Sequence, residues 1–404
     1  MTDYTLTVLD TPGIQDYVFG SNRLRENIGA SELVWQAMMQ WPLEALTEEK
    51  RTNVAEPGAG DPGRRLNDLR IERDDLDAEV LYVGGGNATI LFAEGSVARA
   101  FVTSLHRKLL GEAPGLELAV ARVAVDWEHE SLREKVAEVM RRLAERKQSS
   151  TTRLPLLGQS VTAECLSTGF PATTTNAAHG KPSGEETYPI SHSIAGKLEA
   201  VEHAERRLRH LTSEGFQGTG YGFPRNFDHF GRTRGETSYI AVVHADGNGM
   251  GAFFRQVAAG AHDSRSYIER IRSASTRVEQ ASQAALRRLV DALVTAVGSN
   301  DKGQLAVGGV VPLQVQLLPF RPLVFGGDDL TFVCDGRLGL SLAARYLELF
   351  EQETAALNLD GLHACAGVAV VKTHYPFARG YQLSERLAGM AKSYVSDEEP
   401  QDFS

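Results

Sequence analysis

Pro322–Gly336 reads PLVFGGDDLTFVCDG, two apolar runs flanking the turn Gly326-Gly327-Asp328-Asp329. Apolar and β-branched residues on either side of a Gly-Gly pair predict a β-hairpin. The preceding stretch VPLQVQLLPFR, Val311–Arg321, reads as its approach strand. Such a turn is either an ordinary hairpin closer, since Gly and Asp are common turn residues, or a means of holding two carboxylates at an exposed sheet edge. Its surroundings bear on the choice.

Upstream, Tyr239–His244 predicts a strand ending in His244-Ala245-Asp246-Gly247-Asn248, and SYIAVVHADGNGMGAFF runs on into a helix. Ser264–Val297 carries apolar residues at helical spacing. After the hairpin come a helix from Leu338 to Leu357 and a strand, LHACAGVAVVK. The order is strand, helix, hairpin, helix, strand.

The first part of the chain repeats it. Tyr4–Leu9 predicts a strand, Ser21 to about Trp41 a long helix, and AEVLYVGGGNATILF a second hairpin. A helix from Ser96 to Leu110, a strand LELAVARVAV and a charged helix from Glu130 to Lys147 follow. The pattern predicts an α+β chain of two ferredoxin-like βαββαβ domains facing each other as an internal pseudo-dimer. We place them at 1–148 and 235–404, joined by a Gly-, Thr- and Pro-rich connector over 149–234 with one helix from Ser193 to Ser213.

Bulk composition bounds the function. The 404 residues are 42% hydrophobic and 23% charged, as in an ordinary globular protein. A net charge of −10 argues against broad nucleic-acid binding and leaves only local basic stretches, Glu205–His210 and Arg141–Lys147, as phosphate contacts. Cys165, Cys334 and Cys365 form neither a disulfide framework nor a CxxC knuckle, which fits a reducing cytoplasm. No apolar run approaches a membrane span, and no secretory signal pattern opens the chain.

In a βαββαβ sheet the first strand lies beside the hairpin, so Asp246 is expected to meet Asp328 and Asp329. Hard cations such as Mg²⁺ or Mn²⁺ are held by one or two carboxylates plus water and substrate phosphate, and a metal pair activates a hydroxyl and stabilises a leaving pyrophosphate. Gly326 and Gly327 let a nucleotide approach the backbone. Gly247, Asn248, Gly249 and Gly251, at the start of a helix, offer N–H groups to a triphosphate. Polymerase-like phosphoryl chemistry is the expected activity.

These residues resemble a known family. AVVHADGNGMG followed by PLVFGGDDLTFVC is similar to the active palm domain of Cas10, the large subunit of type III CRISPR effector complexes (Cmr2 and Csm1 proteins), related to GGDEF nucleotidyl cyclases. GIQDYVFGSNRLRENIGASELV and YVGGGNATILF resemble that family's first, degenerate palm, while ECLSTGFPA and FPRNFDHFG fall where it has a zinc-binding segment and the lead-in to the second palm. The resemblance implies synthesis of cyclic oligoadenylate or a related cyclic nucleotide from ATP in antiviral defence, with metal on Asp246, Asp328 and Asp329. Lys392, in LAGMAKSYV, matches a triphosphate-binding lysine of related palms; as a residue it reads equally as a surface helix lysine. The first palm, with Gly84, Gly85, Gly86 and Asn87 where carboxylates would be needed, is expected to bind nucleotide without catalysing.

Departures from the family shape the expectation. There is no N-terminal HD nuclease segment, His262-Asp263 lacks the partner histidines of a metal site, and Cys165 lacks the cysteines of the zinc segment. The chain stops at Asp402-Phe403-Ser404, where the family continues into a helical domain, so a stand-alone or truncated cyclase is expected beside one that joins RNA or a CRISPR effector complex. A non-catalytic nucleotide-binding scaffold and a GTP-using diguanylate-type cyclase are the alternatives. GxGxG at 247–251 is not a dinucleotide fingerprint, and no P-loop, GxSxG elbow or HExxH helix occurs. Tyr221, Phe223, Arg225, Phe227, Phe230, Arg232 and Arg234 either stack on single-stranded RNA or tuck their aromatics into a groove.

Overall fold

A computed structural model describes residues 3–47, 51–55, 66–84, 86–149, 161–181, 186–230, 238–359 and 361–398. The chain forms two compact units built from non-contiguous segments. The first comprises Met1–Tyr17, Gly29–Ala200 and Gly251–Thr276, and the second Val18–Ile28, Val201–Met250 and Arg277–Ser404.

The first unit is organised on β1 (Asp3–Asp10). Helices α1 (Ile14–Phe19), α2 (Leu24–Trp35) and α3 (Trp41–Thr47) precede the hairpin β2 (Ala78–Gly84) and β3 (Asn87–Phe92). Then come α4 (Gly95–Glu112), β4 (Ala119–Asp126) and α5 (Leu132–Ser149). The sheet order is β2-β3-β1-β4, antiparallel throughout, as the βαββαβ reading requires. Strand periodicity sends Tyr4, Leu6 and Val8 to one face, where they pack with Val136, Val139 and Leu143 of α5. A short ribbon of β5 (Thr174–Thr175) and β6 (Pro189–Ile190) leads into α6 (His192–Glu199).

Two expected helices divide. The one expected from Ser21 to Trp41 starts at Leu24 and passes through a π-helical turn, Gln36–Gln40, into α3. Pro42 follows that turn, and its ring would crowd the carbonyl one turn back in a regular helix; the wider turn, closed by Trp41 N–H to the Gln36 carbonyl, relieves it. The helix expected over Ser193–Ser213 breaks at Ala200, where the first unit's second segment ends, into α6 and α7 (Val201–Leu211).

Past α7 the chain continues with α8 (Glu214–Gly218), β7 (Tyr239–Gly247), α9 (Met250–Ala259) and α10 (Ser264–Thr295), of which Gly251–Thr276 belongs to the first unit and the rest to the second. A small sheet of β8 (Val297–Ser299), β9 (Leu305–Val307) and β10 (Val311–Pro312) precedes the hairpin β11 (Phe320–Gly326) and β12 (Asp329–Asp335). Helix α11 (Gly339–Ala356), β13 (Ala364–Lys372) and α12 (Phe377–Glu398) complete it. The main sheet runs β11-β12-β7-β13, the same order as in the first unit. The expected approach strand is interrupted: β10 ends at Pro312, Val315 and Gln316 take left-handed conformations (φ 48° and 58°), and β11 begins only at Phe320, after Pro319.

Alternation again sets the layers. Ala241, Val243 and Ala245 of β7 join Leu286 and Leu289 of α10 and Tyr346 and Phe350 of α11 in one core. The other residues of β7, including His244 and Asp246, face the side covered by α12, where the His244 ring stands edge-on to Tyr381. Phe223 stacks on Phe216, Phe227 stacks on Phe377, and Phe223, Phe227 and Phe230 are buried. Arg225 is paired with Glu202 and Glu205. Of the two readings of this stretch, the three phenylalanines take the groove-filling one, with Tyr221 partly buried against the same core as Phe223; Arg232 and Arg234 lie outside the described residues. No helix among the described residues is long and apolar enough to cross a membrane.

Candidate functional site

Asp246 is the penultimate residue of β7, opposite Cys365 of β13. On its other side Leu330 of β12 pairs with Ala245, which brings Asp329, the first residue of β12, next to Asp246. The turn between β11 and β12 is made by Gly327, at φ 63°, and Asp328. The sheet order thus brings a strand tip and a hairpin tip together, as the βαββαβ reading expects.

The side-chain set differs from the three aspartates grouped from sequence. Ligand atoms of His244, Asp246 and Asp329 all lie within 4.8 Å of one another, whereas Asp328 is outside that group. Asp328 instead lies over Gly247: a Cβ there would stand 2.7 Å from Asp328 Oδ2 and 2.8 Å from its Cβ. Glycine at 247 makes room for that carboxylate. The sequence reading missed His244, although it lies two residues before Asp246 on a strand and so shares its face.

The electrostatics are those of crowded, half-desolvated acids. Burial, then the charges of Asp246 and Asp328 and a hydrogen bond with Asp246, pushes the Asp329 carboxyl well above the usual range. Burial and the charge of Asp246 raise Asp328 too. Burial lowers the His244 imidazole, which favours its neutral form, and its Nδ1 lies 3.1 Å from Thr331 Oγ1. Carboxylates that cannot all ionise together in a low-dielectric pocket attract a cation, and two oxygen ligands with a neutral imidazole fit a hard-to-borderline divalent ion.

Lys392 completes the cluster. Its ammonium donates to the Asp246 carboxylate and, at 2.8 Å, to the Gly247 carbonyl. It reaches them because α12 lies close on the sheet at Gly367, where a Cβ would fall 1.8 Å from the Ser384 carbonyl oxygen. Beyond Asp246, the Asn248 N–H donates to the His363 carbonyl at 2.8 Å, and the Asn248 side-chain amide meets His363 Nε2 at 2.9 Å. Gly249 has φ 69°, and α9 opens at Met250 and Gly251.

The other expected positions are placed as follows. Gly84, Gly86 and Asn87 form the β2–β3 hairpin of the first unit, and Gly85 lies outside the described residues. Asn87 pairs across the sheet with Asp10, whose carboxylate is ion-paired with Lys147. Asp263 accepts the Ser266 N–H at 2.7 Å at the start of α10, and its neighbour His262 is exposed. Cys165, Cys334 and Cys365 are free and buried.

The family of Cas10/Cmr2 second palm domains matches residues 239–398. No curated protein matches the chain. Among solved structures, the Csm1–Csm4 cassette in complex with cA3 is 14% identical, with a TM-score of 0.55 over 97% of this chain and 53% of that one. The cassette in complex with AMPPNP is 16% identical, with a TM-score of 0.54 over 97% and 53%. The Csm1–Csm4 subcomplex of the type III-A CRISPR-Csm interference complex is 16% identical, with a TM-score of 0.54 over 97% and 54%. The chain therefore spans about half the length of the solved chains it matches, a likeness of fold at this level of identity. Residues 239–398, which carry the strand-tip aspartate and the Gly-Gly-Asp-Asp hairpin, are the part of the chain that is similar to the Cas10/Cmr2 second palm domain.

Proposed function

We propose that the chain is a metal-dependent nucleotidyltransferase that converts ATP into a cyclic oligoadenylate or related cyclic nucleotide messenger. The observation that carries this reading is the meeting of Asp246, Asp329 and His244 at one end of the second sheet, within the segment matched by the palm family. Solved relatives in complex with ATP, cA3 and cA4 support the choice of substrate and product.

A ribose hydroxyl of one ATP would attack the α-phosphate of another. The new O–P bond forms as the α–β bridging bond breaks; pyrophosphate leaves and the hydroxyl proton passes to solvent. Mg²⁺ or Mn²⁺ held by Asp246 and Asp329, with His244 in reach, would supply hydroxyl activation and charge neutralisation. The chain's own residues supply position. Asn248, Gly249 and Gly251 present the opening of α9 to phosphate, Gly326 and Gly327 leave the hairpin backbone open to the nucleotide, and Asp328 adds negative charge beside Asp246. The first unit, with Asn87 in place of a hairpin carboxylate, would bind nucleotide through Gly84–Asn87 without turning it over. Docking to a Csm4-type partner within an RNA-guided complex belongs to the same proposal, because the similar Csm1 stands with Csm4 in the type III-A CRISPR-Csm interference complex.

The test is incubation of the purified chain with each nucleoside triphosphate and Mg²⁺ or Mn²⁺, beside Asp329→Ala, with products identified by mass spectrometry. A cyclic adenylate from the wild type alone is expected. A guanylate product would move the assignment to a diguanylate-type cyclase, and bound but unconverted ATP would leave a nucleotide-binding scaffold.

A further inference from the structure

The two units hold the same ion pair at the same address. In the first, Asp10 at the end of β1 pairs with Lys147 of the helix that follows the fourth strand. In the second, Asp246 near the end of β7 pairs with Lys392 of the helix that follows the fourth strand. Asp10 lies opposite Ala119 and Asp246 opposite Cys365. Both hairpins carry a register shift four residues before their closing glycine, at Val80 before Gly84 and at Pro322 before Gly326. What differs is the hairpin: Gly86 and Asn87 in the first unit stand where Asp328 and Asp329 stand in the second.

This difference gives the two lysines different duties. In the first unit one ammonium faces one strand-tip carboxylate, and the pair is charge-balanced. In the second, the ammonium is paired with one carboxylate of three crowded acids, so Lys392 is an incomplete counter-ion. It also sits on a carboxylate oxygen and a backbone carbonyl, the hard oxygen donors a divalent cation takes.

We infer that Lys392 is a displaceable stand-in for the metal ion, competing with it for Asp246, and that nucleotide relieves the competition by drawing the ammonium onto its phosphates. The inference rests on the metal site proposed above. Metal and nucleotide then bind cooperatively: each favours the state in which Lys392 has left Asp246, and the coupling is reciprocal. An ammonium on Asp246 holds the metal off until a triphosphate arrives. In the first unit the hairpin places Asn87 rather than a carboxylate opposite Asp10, so Lys147 remains the partner of Asp10.

The test reads binding, not turnover. Mn²⁺ affinity is measured by the electron paramagnetic resonance of free Mn²⁺, with and without α,β-methylene ATP, in the wild type, Lys392→Met and Lys392→Arg, with Asp246→Asn marking the site. Without nucleotide, Lys392→Met is expected to bind Mn²⁺ roughly five- to tenfold more tightly than the wild type, the lower range of ordinary coupling. Lys392→Arg should stay near the wild type, because the positive charge competes. In the wild type, α,β-methylene ATP should raise Mn²⁺ affinity, and by more than it does in Lys392→Met. Wild-type binding abolished by Asp246→Asn, but unchanged or weakened in Lys392→Met, overturns the inference and leaves the metal site standing. The nucleotide comparison within the wild type needs no variant to fold, and no gain there also overturns it. Absence of Mn²⁺ binding in the wild type and in Lys392→Met removes the metal site and the inference together.

Discussion

Asp10 and Asp246 hold equivalent places in two separate sheets, each near the end of a first strand and each ion-paired with a lysine of the helix after the fourth. The hairpin beside each decides what that carboxylate is for. Asn87 beside Asp10 asks for no cation, whereas Asp329 beside Asp246 adds a second half-buried acid and with it a demand for positive charge.

That demand has a pH signature. The Asp329 carboxyl is raised by burial first and by the charges of Asp246 and Asp328 next, so the folded chain keeps a proton that the unfolded chain releases near 3.8. The stabilisation is complete below that value and is lost as pH rises through the raised folded value. Thermal unfolding in chelator should therefore show falling stability with rising pH, a flatter slope in Asp329→Asn, and recovery on adding Mn²⁺. An identical slope in the variant would remove Asp329 as its source.

Gly247 is the position that admits Asp328. Gly247→Ala places a Cβ 2.7 Å from Asp328 Oδ2 and 2.8 Å from Met250 Cγ, so the carboxylate and the opening of α9 must move. Overpacking of this kind costs about 1–3 kcal/mol. The proposed nucleotidyl transfer should slow by about two orders of magnitude, as for a misplacement of roughly 1 Å. Wild-type turnover in a folded Gly247→Ala would show that Asp328 has no positional role.

Gly367 sets the depth of α12. Gly367→Ala pushes a methyl group into the backbone of α12 at Ser384 and Ala388, and lifting the helix takes Lys392 off Asp246. Urea unfolding should show a loss of about 1–3 kcal/mol, more if the helix cannot shift. Mn²⁺ affinity without nucleotide should rise together with that loss, and a fall would separate helix position from Lys392.

Within the first unit, Glu79 is fully buried and accepts from Arg265 at 2.7 Å and from Arg272 at 3.0 Å. Arg265 also pairs with Glu72, and Arg272 donates to the Val80 and Leu81 carbonyls. Glu79→Ala leaves two arginines without their buried acceptor and should cost about 3–5 kcal/mol in urea unfolding. A loss below about 1 kcal/mol would show that the network is solvated like a surface pair.

Most strands were legible because their signals are local. The short apolar runs in Tyr239–His244 and Asn87–Phe92 and the Gly-Gly turn before Asp328 each depend on residues within a few positions. The two helices that divide, at Gln36–Gln40 and at Ala200, carry helical periodicity on both sides of the break. Periodicity records which face is apolar and not where one axis ends and the next begins.

By itself the sequence determined the α+β class, the repeated strand order, and Asp246 and the Gly326–Asp329 hairpin as the candidate centre, since pattern and turn chemistry are written in short windows. Tertiary structure alone decided the rest. It put Gly251–Thr276 with the first unit, where Arg265 and Arg272 find the carboxylate of Glu79. It drew His244 into the cluster in place of Asp328. It also laid α12 onto Gly367 so that an ammonium far along the chain lands on Asp246. Those outcomes depend on which charges and which small residues come within a few ångströms after folding, and no local window contains that information.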